Sequence, residues 1–167
     1  MASRPLAIIG HRGAARYAPE NTMASFRRAL NLGASGFEFD VHLTGDGEPI
    51  VIHDPTLDRT TSGSGAVMDA TMADLRSLDA GTWFGPEFQG ERLPGLADVL
   101  QLPAKIFELE IKASGTETLD AVVAAVDRAG VIDHGADHPD PSQHGVPGAR
   151  ERRRWSRPDH AGDRCRC

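Results

Sequence analysis

The sequence predicts an α/β fold: the N-terminal half of a (β/α)8 barrel, followed by a disordered tail. Three observations carry that expectation. Short apolar runs alternate with segments of helical period, the pattern of parallel strands joined by helical crossovers. Polar groups recur where those runs end: His11, then Glu38 and Asp40, then His53, then Glu110 and Lys112. Barrel enzymes keep their chemistry at the carboxyl ends of the strands. The alternation then stops at about Ile132. A Rossmann domain is set aside, because Gly10-His11-Arg12-Gly13 lacks the spacing of a three-glycine phosphate loop.

Taken in order, Leu6–Ile9 reads as a strand that ends in the turn Gly10-His11-Arg12-Gly13. Asn21 or Thr22 can cap a helix that shows Met23, Phe26 and Leu30 on one face and stops at Gly33. Gly36–Leu43 is a strand with two unlike faces. Its period of two sets Phe37, Phe39, Val41 and Leu43 on one side and Glu38 and Asp40 on the other. Thr44-Gly45-Asp46-Gly47 closes it, and Pro49–Ile52 follows as an apolar strand ending at His53-Asp54. Residues 56–95 are rich in loop formers, with a short helix expected at Met72–Leu78, capped by Thr71. Another is expected at Leu96–Leu100, then a strand at Lys105–Lys112 and a helix at Thr116–Ala129 stopped by Gly130. Val131-Ile132 looks like the start of a fifth strand.

The chain divides at that point. Residues 1–132 hold 11 Lys and Arg against 18 Asp and Glu, enough apolar material for a core, and all the elements above. Residues 133–167 contain no Leu, Ile, Phe, Met or Tyr, but carry 7 arginines, 4 histidines and several prolines. Such a segment cannot bury enough surface to offset the entropy of ordering it, so disorder is expected. Sixteen arginines against two lysines suggest a GC-rich coding sequence, and the tail has the composition of a frameshifted product. With half a barrel present, the open sheet would self-associate or aggregate.

Composition also narrows the partners. A net charge of −6 gives no reason to expect nucleic acid. Arg150–Arg157 has five arginines in eight residues, but also Glu151 and no platform for a nucleic acid or membrane. The first apolar run is too short for a signal-peptide core or a span, so no membrane insertion and a cytoplasmic location are expected. Cys165 and Cys167 stand at the end of the chain and can neither staple a fold nor complete a zinc site.

Glu38 and Asp40 lie side by side on one strand, and two carboxylates so placed repel unless a cation sits between them. Glu108, Glu110 and Lys112 repeat the pattern on a second strand. Carboxylate oxygens suit one Mg²⁺ or Ca²⁺ better than zinc; the alternative is a salt-bridge cluster in which Lys112 neutralises Glu110. His11 and His53 can share proton transfer, one taking and one giving. Arg12 offers a planar fork for a phosphate. His42 shares the parity of Asp40 and receives no role. With no cysteine or elbow serine as nucleophile, the set describes phosphate-ester chemistry.

Gly10-His11-Arg12-Gly13, Pro19-Glu20-Asn21-Thr22, Phe37-Glu38-Phe39-Asp40-Val41, Val51-Ile52-His53-Asp54 and Glu110-Ile111-Lys112 together resemble the glycerophosphodiester phosphodiesterase family in order and spacing. The resemblance covers roughly residues 6–132. It implies a metal-dependent hydrolase that splits glycerophosphodiesters, its small-molecule substrates, into glycerol 3-phosphate and an alcohol. Position by position, it implies His11 and His53 as the acid/base pair and Glu38, Asp40 and Glu110 as the ligands of one Mg²⁺ or Ca²⁺. Arg12, Lys112 and Asn21 match substrate-side positions, and Glu20 a structural one. The competing reading is a truncated remnant without turnover that at most binds a divalent cation or an anion.

Overall fold

A computed structural model describes residues 6–112 and 115–131; the tail expected at 133–167 and the strand start at Ile132 lie outside the described residues. In chain order the elements are β1 (Ile9–Gly10), α1 (Met23–Asn31), β2 (Gly36–Leu43), β3 (Pro49–Val51), α2 (Met72–Ser77), α3 (Leu96–Val99), β4 (Ile106–Ile111) and α4 (Thr116–Ala129). The caps follow from the sequence. Thr22, not Asn21, caps α1, its hydroxyl accepting from Ser25 N–H, and Thr71 with Asp74 forms a capping box on α2. Gly130 ends α4 at φ +62°, the left-handed cap that glycine adopts without steric cost.

β2 organises the sheet. β4 lies parallel along one edge, with Gly36 opposite Ile106 through Val41 opposite Ile111. β1 pairs in parallel with the start of β2 on the other edge, and β3 pairs with its end. β3 departs from the expectation of four parallel strands: it runs antiparallel, with Val41 opposite Val51 and Leu43 opposite Pro49. The reason is loop length. Residues 44–48 alone separate β2 from β3, and a parallel crossover needs a dozen residues or more. Three parallel strands and a hairpin return therefore replace the four parallel strands expected.

The return strand divides the apolar interior. Val51 joins the core of Phe26, Phe37, Phe39, Val41, Leu96, Val99 and Val122 between sheet and helices. Ile50 and Ile52, of opposite parity, enter a second core with Leu57, Val67, Leu75 and Leu93. The first core is led by Phe26 stacked on Phe37, ring centroids 4.4 Å apart. Burying Phe37, Phe39 and Val41 against helices commits Glu38, Asp40 and His42 to the opposite face of β2. That face carries the site.

Candidate active site

The register of β2 with β4 sets Glu38 opposite Glu108 and Asp40 opposite Glu110. Like charges directly opposite are unfavourable, so this pairing needs positive charge nearby. One oxygen each from Glu38, Asp40 and Glu110 lies within 4.8 Å of the other two. A single ion can bridge that span, because Mg²⁺ and Ca²⁺ hold oxygens at about 2.0–2.6 Å. Asp40 is the buried member, 0% exposed, whereas the Glu110 side chain is 56% exposed.

Asp40 is tightly held. Asn21 Nδ2 donates to its Oδ2 at 2.8 Å, and Arg12 Nε lies 3.3 Å from that oxygen. Lys112 Nζ stands 2.9 Å from Oδ1 and donates to Glu110 Oε1 at 2.7 Å. The Lys112–Asp40 contact is an ion pair without hydrogen-bond alignment, so buried Oδ1 keeps no hydrogen-bond partner among the described residues. An orphaned buried carboxylate oxygen at the centre of an acidic cluster fits a bound cation. Burial alone would raise the pKa of Asp40. The Asn21 hydrogen bond and the charges of Lys112 and Arg12 outweigh burial and hold it below the usual carboxylate range. Burial would likewise lower Lys112, but Glu110 and Asp40 raise it.

The loop after β1 is bent into unusual backbone conformations to reach this cluster. Arg12 at φ +51° and Asn21 at φ +58° are the non-glycine residues with left-handed backbone among the described residues, a conformation that costs energy unless the surroundings impose it. Here they do. Arg12 N–H donates to Glu38 Oε2 at 2.9 Å, and its carbonyl accepts from Asn21 N–H and Ser25 Oγ. Gly13, at φ +81°, has no room for a Cβ, which would stand 2.5 Å from Ser25 Oγ.

A second charged network adjoins the first. His53 Nδ1 contacts Asp54 Oδ1 at 2.6 Å. An ionised carboxylate only accepts, so Nδ1 carries the hydrogen and Nε2 of the neutral ring is left as an acceptor. His42 Nε2 donates to the His53 carbonyl at 3.0 Å, and Ile52 N–H to the Asp40 carbonyl. The hairpin thus returns His53 to the level of the acidic cluster. Arg59 donates to both oxygens of Asp54 and to both of Glu20, and Arg12 Nη1 also donates to Glu20 Oε1 at 2.9 Å. Hydrogen bonds from Arg59, aided by His53, depress Asp54 well below the usual carboxylate range. For Glu20, burial pulls upward, and Arg59 and Arg12 overcome it.

The structure therefore brings together Glu38, Asp40, Glu110, Lys112, Arg12 and Asn21. It places His11, 74% exposed at its side chain, with Nε2 3.9 Å from Glu38 Oε2. Asn21, expected on the substrate side, is 2% exposed with its amide turned onto Asp40. Arg12 and Lys112, expected to face phosphate, are both also engaged by protein carboxylates. The reading of residues missed Arg59, which sits in an irregular loop without any periodic signal, and gave Asp54 no task beyond its place after His53.

Comparison with known proteins finds relatives of this chain. The model of the glycerophosphoryl diester phosphodiesterase family matches residues 11–134. A glycerophosphodiester phosphodiesterase of Caldanaerobacter subterraneus is 54% identical over 95 residues, which are 57% of this chain and 39% of that protein. One from Bacillus subtilis is 40% identical over 118 residues, covering 66% and 40%. Among solved structures, an Oleispira antarctica phosphodiesterase in complex with the product sn-glycerol-3-phosphate superposes with a TM-score of 0.71 at 38% identity, over 74% of this chain and 53% of that one. A glycerophosphodiester phosphodiesterase of Agrobacterium tumefaciens gives 0.70 at 40% identity, over 76% and 55%. The chain thus spans about two fifths of these curated relatives and just over half of the solved chains. Its fold is part of a (β/α)8 barrel of that kind.

Proposed function

Because the chain belongs to the glycerophosphoryl diester phosphodiesterase family, we propose that its site serves metal-dependent hydrolysis of glycerophosphodiesters to glycerol 3-phosphate and an alcohol. The observation that carries the proposal is the Glu38–Asp40–Glu110 cluster with its orphaned buried oxygen, with His11 beside Glu38 and His53 next to Ile52, whose N–H donates to the Asp40 carbonyl. Over the two joined networks five carboxylates, Glu20, Glu38, Asp40, Asp54 and Glu110, meet three cations, Arg12, Arg59 and Lys112, which leaves a formal charge of −2. A single Mg²⁺ or Ca²⁺ matches that charge.

Glu38, Asp40 and Glu110 would hold the cation, which supplies charge neutralisation at the phosphoryl oxygens. Asn21 keeps Asp40 aimed, its amide bridging the Asp40 side chain and backbone N–H. Arg12 and Lys112 add fixed positive charge beside the same point. His53, its hydrogen committed to Asp54 through Nδ1, has Nε2 ready to accept the proton of the attacking group, either water or a substrate hydroxyl whose cyclic product water then opens. His11, on the open side of Glu38, is suited to give a proton to the departing alcohol oxygen.

The span of the chain, about half that of its relatives, favours a second reading: cation binding without turnover. The deciding experiment is release of glycerol 3-phosphate from a glycerophosphodiester by the 167-residue chain, with Mg²⁺ or Ca²⁺ and with excess chelator. Cation-dependent release supports the hydrolase. Calorimetric cation binding with no release supports the second reading.

A further inference from the structure

We infer that Arg59 is a positioning residue that locks His53 and Arg12 into one constellation; the inference rests on the hydrolase reading above. Arg59 Nη2 stands 2.8 Å from Glu20 Oε1 and 3.0 Å from Asp54 Oδ1. Those two oxygens are the ones that Arg12 Nη1 and His53 Nδ1 use, at 2.9 and 2.6 Å. One nitrogen therefore links the partner of the phosphate-side arginine to the partner of the proton-transferring histidine. Nε and Nη1 complete the clamp on the second oxygen of each carboxylate, at 2.6 and 3.0 Å. This use of a planar fork on two carboxylates is beyond the reach of an ammonium group.

The clamp has a rigid base. Leu57 and Thr60, on either side of Arg59, are buried. Leu57 N–H donates to the Gly65 carbonyl and Thr61 N–H to that of Leu57. The Arg59 backbone is thus anchored in the second core while its head reaches across to the loop after β1. The Arg59 side chain is 43% exposed, and ion pairs of that exposure add little to stability. Its effect falls on geometry: without it, Asp54 can turn to water and Glu20 can swing with Arg12.

The test is the tautomer of His53. The full 167-residue chain, labelled with ¹⁵N in its imidazoles, is read by long-range ¹H–¹⁵N correlation at a pH where the ring is neutral. His53 is identified by its disappearance in His53→Gln. The parent is expected to show the Nδ1–H form. Arg59→Gln should give a mixture with the Nε2–H form, with the thermal midpoint little changed, and Arg59→Lys should fail to restore the parent pattern. In turnover, Arg59→Gln should lower kcat on the order of 10-fold with KM little altered. Retention of the pure Nδ1–H form in Arg59→Gln, or its absence from the parent, overturns the inference. Loss of that form in Arg59→Gln when the parent hydrolyses nothing supports the clamp and counts against the hydrolase reading alone.

Discussion

The two charged networks of the site differ in how completely they are balanced. Around Arg59, two carboxylates, Glu20 and Asp54, meet two guanidinium groups, Arg59 and Arg12, and the hydrogen bonds run from fork to carboxylate. Around Asp40, three carboxylates meet the ammonium of Lys112 and share Arg12, whose Nε lies 3.3 Å from Asp40 Oδ2, and a buried oxygen is left without a hydrogen-bond partner among the described residues. The balanced network has what it needs to stay rigid by itself. The unbalanced one keeps an excess of negative charge that a bound cation would offset. Proteins keep such an excess where something is to be bound, because burying uncompensated charge is costly.

The sharpest way to break this contrast is to remove the excess. Asp40→Asn or Glu110→Gln should abolish calorimetric binding of Mg²⁺ or Ca²⁺, whereas Glu20→Gln, in the balanced network, should leave it measurable. Unaltered binding in the Asp40 and Glu110 variants would mean that the cation binds elsewhere, and no binding to the parent would mean that Lys112 satisfies the cluster. Removing the proton carriers comes next. His53→Ala and His11→Ala should each reduce turnover on the order of 10²-fold or more, with KM less affected; a change confined to KM would make them phosphate binders.

Acid should act on the balanced network. Glu20 and Asp54 have depressed pKa values in the folded chain. Their stabilisation is therefore fully present above the unfolded carboxylate value of about 4 and is lost as pH falls through the lower folded values. The thermal midpoint of the parent should lie slightly above that of Arg59→Gln near neutral pH, a small difference at this exposure, and the two should converge below about pH 4; parallel curves would show that the clamp carries no proton linkage. The smallest expected effect leaves both networks' charges intact: Thr22→Ala removes the α1 cap and should cost about 1 kcal/mol in denaturant unfolding.

Much of this was readable in the residues. A period of two is enough to put Glu38 and Asp40 on one face and Phe37, Phe39 and Val41 on the other, because that alternation is a property of extended backbone. Thr22, Thr71 and Gly130 act through their nearest neighbours, so their roles as caps and stop follow from local chemistry. What only the tertiary structure decided lies across long sequence separations. β3 turned back as a hairpin because five intervening residues cannot span a crossover, and that return carried His53 to the level of Asp40. Asn21, read as a substrate contact, is spent on holding Asp40. Arg59 reaches Glu20 across 39 positions from a loop without period. An ion pair is chosen by which loops come to lie side by side, and no local propensity encodes that. Strand faces and helix ends were set by the sequence through short-range geometry, whereas the matching of charge to charge was settled when the loops after β1 and β3 met over the sheet.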